Sequence, residues 1–289
     1  MKLKTGKIIV KKLILLLLIY LSISFSAQAK VIKILAIGNS FSADAIEQYL
    51  YELAAEGGDS LVIGNAYRGG QGFESHWKVV EKNKPEFEYH KVVGGKNSNQ
   101  RKTLLECIQD EEWDYITFQQ VSQDSGDYPT YEPWLTRLLE YVKQHVRNPK
   151  VKYALHRTWA YPQNSDHGAF KKYNKDQLQM FRNIVDATNQ SKKQHKEFRM
   201  IIPAGTAIQN ARTSFIGDNF NRDGYHLTFG LGRYTAACTW LEKITKQKAI
   251  GKKFRPKGVS EEEALIAQKA AHYAVRHPDV ITEIKIKKK

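Results

Sequence analysis

Apolar positions along the chain change period several times. Residues 31–37 (Val-Ile-Lys-Ile-Leu-Ala-Ile) form a short β-rich run that stops at Gly38, and apolar positions then recur at helical spacing over 43–56. That is a βα unit. The same alternation predicts further strands at 61–65, 115–120, 152–158 and 200–203, and helices at 99–110, 132–146, 175–187 and 227–245. Five strands with intervening helices imply a three-layer, doubly wound α/β sandwich around a five-stranded parallel sheet. Ligands of such sheets bind beyond the carboxyl ends of the strands, so any chemistry is expected at the strand-to-helix turns.

Two end segments stand apart. Residues 1–29 place Lys2, Lys4, Lys7, Lys11 and Lys12 ahead of the apolar run Leu-Ile-Leu-Leu-Leu-Leu-Ile-Tyr-Leu and finish on Ala27-Gln28-Ala29, a small-x-small pattern. This reads as a cleavable secretory signal, because the run is well short of the roughly 20 residues of a spanning helix. No Cys follows to make a lipid-anchored form, so the expected location is secreted or periplasmic, with no membrane span after cleavage. At the other end, Ser260-Glu-Glu-Glu opens an amphipathic helix with a cap and an acidic first turn, followed by the basic tail Lys285-Ile-Lys-Lys-Lys289. The expected organisation is a signal at 1–29, one domain at 30–250, and a C-terminal helix and tail at 251–289 on the same domain.

Composition fits a globular chain: 289 residues, 42% hydrophobic and 26% charged. The formal charge of +15 falls to +10 once the five signal lysines are removed. A solvated Lys-rich surface accounts for this, since the basic residues are not interleaved with aromatics along one stripe, and no nucleic-acid partner is expected. Cys107 and Cys238 fall in two separate helical patterns and read as unpaired thiols.

Candidate chemistry begins at Gly38-Asn39-Ser40-Phe41-Ser42, where a hydroxyl sits at a strand-to-helix turn whose first N–H groups are free to face an anion. Ser40 could be a nucleophile, or Ser40 or Ser42 a helix N-cap. A base is available at Asp223-Gly224-Tyr225-His226: an Asp three residues before a His can accept the Nδ1–H and leave Nε2 to take a serine proton. Alternatively Asp223 only stabilises a turn. His76, His90 and His167 have no spacing that makes a metal set, and no metal or cofactor is expected.

Gly-x-Ser after the first strand and Asp-x-x-His before the last helix, in that order, resemble the end markers of the SGNH (GDSL-like) hydrolases over roughly residues 31–245. Ile37-Gly-Asn-Ser-Phe-Ser with Asp-Gly-Tyr-His-Leu looks like a separate branch of that superfamily, distantly similar to sialate O-acetylesterase-like carbohydrate esterases. The resemblance implies a flavodoxin-like fold, a triad of Ser40, Asp223 and His226, and an ester substrate. It also implies an oxyanion hole of the Ser40 N–H, a Gly after the second strand and an amide side chain after the third. Gly70, within Arg68-Gly-Gly-Gln-Gly72, is the Gly expected, although three glycines compete. The usual Gly-x-Asn-Asp motif is missing; Gln120 in Phe118-Gln-Gln-Val-Ser-Gln-Asp124 lines up as the amide, with Gln123 as competitor. Asn39 replaces the usual Asp of the first motif, and Asn39, Arg157 and Trp159 are expected to border the substrate. The implied activity is removal of acetyl or other small acyl groups from carbohydrate. The alternatives are a carbohydrate-binding scaffold without catalysis, in which Ser40 and His226 stand too far apart to bond, and a lipid esterase or thioesterase with a long apolar groove.

Overall fold

The computed structural model describes residues 30–285. The expected signal at 1–29 and the end of the basic tail lie outside them. A seven-stranded sheet, ordered β4-β3-β2-β1-β5-β6-β7, forms the centre. The strands are β1 (Val31–Gly38), β2 (Ser60–Tyr67), β3 (Phe87–Val93), β4 (Lys96–Lys102), β5 (Tyr115–Phe118), β6 (Lys152–His156) and β7 (Phe198–Ile202). Strands β2, β1, β5, β6 and β7 run parallel, as their apolar runs require when both faces are covered.

The expected five-stranded sheet is therefore extended by two antiparallel strands, β3 and β4, on the β2 edge. Segment 99–110, expected as one helix, divides between β4 and a short helix (α4, Leu104–Gln109) capped by a Thr103/Glu106 capping box. The hairpin closes through Gly94 and Gly95, both at positive φ (58° and 74°), which is the two-residue turn that matches strand twist. Strand β4 is almost wholly exposed and polar, so no alternation betrays it.

Helices cover both faces. On one side α1 (Ser40–Ile46), α2 (Leu50–Glu56), α7 (Ala204–Arg212), α8 (Leu231–Thr245) and α9 (Glu261–Arg276) enclose a core that includes Ile34, Phe41, Leu53, Trp159, Tyr234 and Trp240. On the other, α3 (Phe73–Val80), α4 and α5 (Trp134–His145) cover Leu35, Ile37, Trp113, Phe118 and Leu138. A long helix, α6 (Gln177–Gln194), feeds residues into both cores. The helix expected over 43–56 is broken after Ile46, where Tyr49 takes φ 68° before α2 restarts.

Cys107 and Cys238 are free, buried in opposite cores, and burial raises both thiol pKa values. Helix α9 opens on a Ser260/Glu263 capping box and packs against α7 and α8. Among the described residues no helix is long and apolar enough to cross a membrane.

Register sets the position of the site. Gly38 pairs with Tyr67 and Ile37 with Phe118, so β1, β2 and β5 end at one level. The turns that follow, carrying Ser40, Gly70 and Gln119–Gln120, are thus neighbours.

Candidate active site

Ser40 is the first residue of α1. Asn39 precedes it in extended conformation (φ −141°, ψ −155°), and its Oδ1 accepts the Phe41 N–H at 3.0 Å, so Asn39, not a serine, caps the helix. Ser42 turns away, donating to Asn39 O at 2.7 Å and to Asn65 Oδ1 at 2.9 Å. That leaves the Ser40 hydroxyl free of capping duty. Gly38 is needed for space: a Cβ there would stand 2.7 Å from Ser42 Oγ and 2.8 Å from Gln119 Oε1.

The chain from 220 to 228 folds back on itself before α8. Thr228 N–H donates to Phe220 O at 2.8 Å and Arg222 N–H to His226 O at 3.0 Å, making a narrow loop with Asp223 and Gly224 at its tip. Gly224 has φ 81°, a conformation that strains any side-chain-bearing residue. Asp223 Oδ1 accepts the His226 backbone N–H at 2.8 Å, and its Oδ2 lies 2.8 Å from His226 Nδ1. His226 Nε2 is 2.8 Å from Ser40 Oγ. The structure thus brings Ser40, His226 and Asp223 into one hydrogen-bonded line, and the separated arrangement expected of a scaffold without chemistry is not found. Although burial acts to raise it, hydrogen bonds from the His226 side chain and backbone hold the Asp223 carboxyl below its usual pKa. A proton on Nδ1, facing that carboxylate, leaves Nε2 as acceptor for the Ser40 hydroxyl.

Trp159 does not border the substrate space. It is fully buried, stacks on Phe41 with centroids 4.3 Å apart and planes at 6°, and donates Nε1–H to Tyr225 O at 2.7 Å. Phe41 follows Ser40 and Tyr225 precedes His226, so the indole braces both sides of the line from beneath. Arg157 is also fully buried: it bonds Thr188 Oγ1, Asn189 Oδ1 and Pro278 O, and pairs with Asp279 at 2.9 Å. It ties α6 to the C-terminal segment and cannot meet a substrate. Strand β6 ends at His156, and the residues after it turn into the protein interior instead of lining a cleft.

The two further residues expected to donate to an oxyanion divide. Gly70 (φ 65°) lies in a loop tied to the Ser40 turn on both flanks, by Arg68 N–H to Gly38 O at 3.0 Å and by Asn39 Nδ2 to Gln71 O at 3.0 Å. Gln120 differs from expectation. Its Oε1 accepts the N–H groups of Phe73 (3.0 Å) and Val121 (2.9 Å), while Nε2 donates to Thr130 O and Oγ1 at 3.1 and 3.2 Å. A carboxamide committed in this way caps α3 and holds the 121–130 segment, with no proton left for an oxyanion. Gln119 is the neighbour that reaches the site, donating to Asn39 Oδ1 at 2.6 Å. Asn39, 1% exposed, is therefore also a linker and not a substrate contact: its side chain joins the ends of β1 and β5 to the Gly70 loop.

Beyond Gly70 opens a cavity of about 200 Å³ whose lining includes Glu74, Ser75, Gln123, Asp124 and Trp134. Larger cavities, of about 260, 280, 370 and 490 Å³, are lined by other residues, among them His90 and Asn99 in the second and Lys252 and Gln268 in the last. His76 and His156 are buried with no hydrogen-bond partner on either ring nitrogen among the described residues, and burial lowers both pKa values to about 3. Sequence reasoning missed Gln119, Asp44 and Arg222, although Gln119 adjoins the amide candidate Gln120 and Asp44 lies one turn after Ser40.

A family model described as a domain of unknown function (DUF4886) matches residues 33–274. A DUF4886 family protein from Bacteroides uniformis, solved by crystallography, is 44% identical, with 88% of this chain and 98% of that one covered at a TM-score of 0.86. A candidate SGNH hydrolase from Slackia heliotrinireducens shares 18% identity over 73% of this chain and 98% of its own, at a TM-score of 0.51, a likeness of fold. No curated protein matches the chain.

Proposed function

The chain belongs to the DUF4886 family, with an SGNH-like fold, and from that premise we propose that it is a serine hydrolase cleaving small carboxylic esters through an acyl-enzyme on Ser40. The observation that carries this reading is the line of two 2.8 Å hydrogen bonds from Ser40 Oγ through His226 to Asp223. His226 Nε2 takes the Ser40 proton as Oγ bonds to the ester carbon. The oxyanion formed is held by the Ser40 and Gly70 N–H groups. Its collapse breaks the ester bond, and His226 returns the proton to the leaving alcohol. Water, deprotonated by His226, then attacks the acyl carbon, releases the acid and restores Ser40. Asp223 keeps the imidazole in the required tautomer throughout.

The cavity of about 200 Å³ beside Gly70 is lined by hydroxyl, amide and carboxylate groups with one indole, a lining that suits a polyhydroxylated alcohol, so acetylated carbohydrate is the substrate class we favour. The pattern of residues 1–29 supports an exported enzyme.

Ser40→Ala tests the reading. Hydrolysis of p-nitrophenyl acetate should fall by about 10⁴-fold or more, fluorophosphonate labelling should vanish, and the melting temperature should hold. Unchanged turnover would end the proposal. Faster hydrolysis of long-chain than of acetyl esters would retain the chemistry and reject the substrate.

A further inference from the structure

Asp44 stands one helical turn after Ser40 on α1, so both side chains leave the same side of the helix. Its carboxylate, 2% exposed, is surrounded by donors from the loop that carries His226 and from the start of α8. Oδ2 accepts the Leu227 N–H at 2.8 Å, Arg233 Nη2 lies 2.5 Å from Oδ1, and Arg222 Nη1 lies 3.4 and 3.3 Å from the two oxygens. Arg222 Nη1 also donates to the Leu227 carbonyl. Both polar groups of the residue directly after His226 are thus held, one by Asp44 and the other by the arginine that Asp44 binds. A buried carboxylate between two cations is an expensive way to fill space compared with apolar packing, so its place beside the imidazole calls for a role there.

We propose that Asp44 is a positioning residue for the acyl-transfer step, an inference that rests on the esterase reading. It ties the His226 loop to the helix that presents the nucleophile, so that Nε2 and Oγ keep their separation whatever the rest of the loop does. It also restrains a competitor. Arg222 Nε is 3.7 Å from Asp223 Oδ2, the oxygen that takes the imidazole Nδ1–H. Held at Nη1 by Asp44 and by the Leu227 carbonyl that Asp44 helps to place, Arg222 stays at that distance; without Asp44 its guanidinium is freer to turn toward Asp223 and weaken the bond that sets the tautomer. Losing either restraint moves the reacting groups apart by about an ångström, a displacement that costs about 10–100-fold in rate.

Asp44→Asn keeps the shape and removes the charge. The expected result on p-nitrophenyl acetate is a kcat lowered about 10–100-fold with KM within about threefold, because the restraint acts on the reacting groups and not on substrate binding. In crystals of the variant, Ser40 Oγ and His226 Nε2 should lie beyond hydrogen-bond distance. Should the variant fail to fold, Arg222→Gln probes the same clamp from its more exposed side and should lower kcat about 5–20-fold, again at near-constant KM. A folded Asp44→Asn protein with kcat within threefold of the parent, a change confined to KM, or a retained Ser40–His226 bond overturns the proposal. If the parent protein itself is not labelled at Ser40 by a fluorophosphonate, the esterase reading falls instead, and the crystallographic separation still decides whether Asp44 sets the geometry.

Discussion

The turn after β1 and the turn after β5 sit side by side at the centre of the sheet, yet they spend their polar side chains differently. After β1, Asn39 takes over the capping and linking, and Ser40 is left with His226 as its only side-chain partner among the described residues. After β5, Gln119 is drawn to Asn39 and Gln120 is consumed by Phe73, Val121 and Thr130. One turn leaves a hydroxyl free to bond His226 because its neighbours absorb the structural work; the other is that structural work. It follows that charge developing on a substrate near Ser40 would meet backbone N–H groups, from Ser40 and Gly70, and no side-chain amide of the β5 turn. Their aim depends on how firmly the two loops are joined.

Asn39→Ala strikes at that join and should have the largest effect. It removes the α1 cap, worth about 1 kcal/mol, and leaves the buried Gln119 amide without its main acceptor, a cost of about 1–3 kcal/mol. It also releases Gln71 and with it the Gly70 N–H. Loss of one oxyanion donor costs about 10²–10³-fold in comparable enzymes, and a displaced donor costs less, so kcat should drop about 10–100-fold. Steady-state kinetics beside a thermal melt checks both parts. A melting temperature that falls while kcat holds would mean that Asn39 serves the fold alone.

Gln120→Ala should do the reverse. The Phe73 and Val121 N–H groups lose their acceptor in a buried setting, for about 2–3 kcal/mol of stability, while kcat stays within about threefold. Urea titration and turnover on p-nitrophenyl acetate separate the outcomes. A loss of 10²-fold or more in kcat with stability intact would return Gln120 to the oxyanion hole and erase the contrast between the turns.

The five parallel strands were legible because each is a buried apolar run ending at a turn; Ser40 was legible because it flanks such a turn, and Asp223 and His226 because of their spacing ahead of a helical run. The β3–β4 hairpin was not, since β4 reads Lys-Asn-Ser-Asn-Gln-Arg-Lys and buries almost nothing; Gly94-Gly95 was the signal available. Arg157 and Trp159 misled for a different reason. The end of a strand predicts where the backbone emerges, but not whether a large side chain turns out to the cleft or down into the core, and both turn down. Gln120 misled because an amide in the expected place says nothing of what else needs its hydrogen bonds. Asp44 had one linear cue, its place a turn after Ser40, but its partners lie far off at 222, 227 and 233.

The smallest expected effect concerns the far side of the Ser40 turn. Asn65 passes from Ser42 to Glu47 (2.7 Å), and Glu47 Oε1 lies 2.7 Å from His90 Nδ1. The hydrogen bond with Glu47, opposed by burial, raises the His90 pKa. A raised histidine contributes stability that is fully present below its unfolded pKa of about 6.5 and is lost as pH rises through the higher folded value. The parent should therefore exceed His90→Gln in stability at pH 5.5, by no more than about 1 kcal/mol given partial exposure, and the gap should close by pH 9. Denaturant titrations of both proteins at the two pH values measure this, and the difference between them cancels the opposite acid sensitivity of His76 and His156. If the gap closes without any change in kcat at either pH, the chain from Ser42 to His90 supports the turn without tuning Ser40. If kcat follows the gap, the β1 turn is not as self-contained as its contrast with the β5 turn implies.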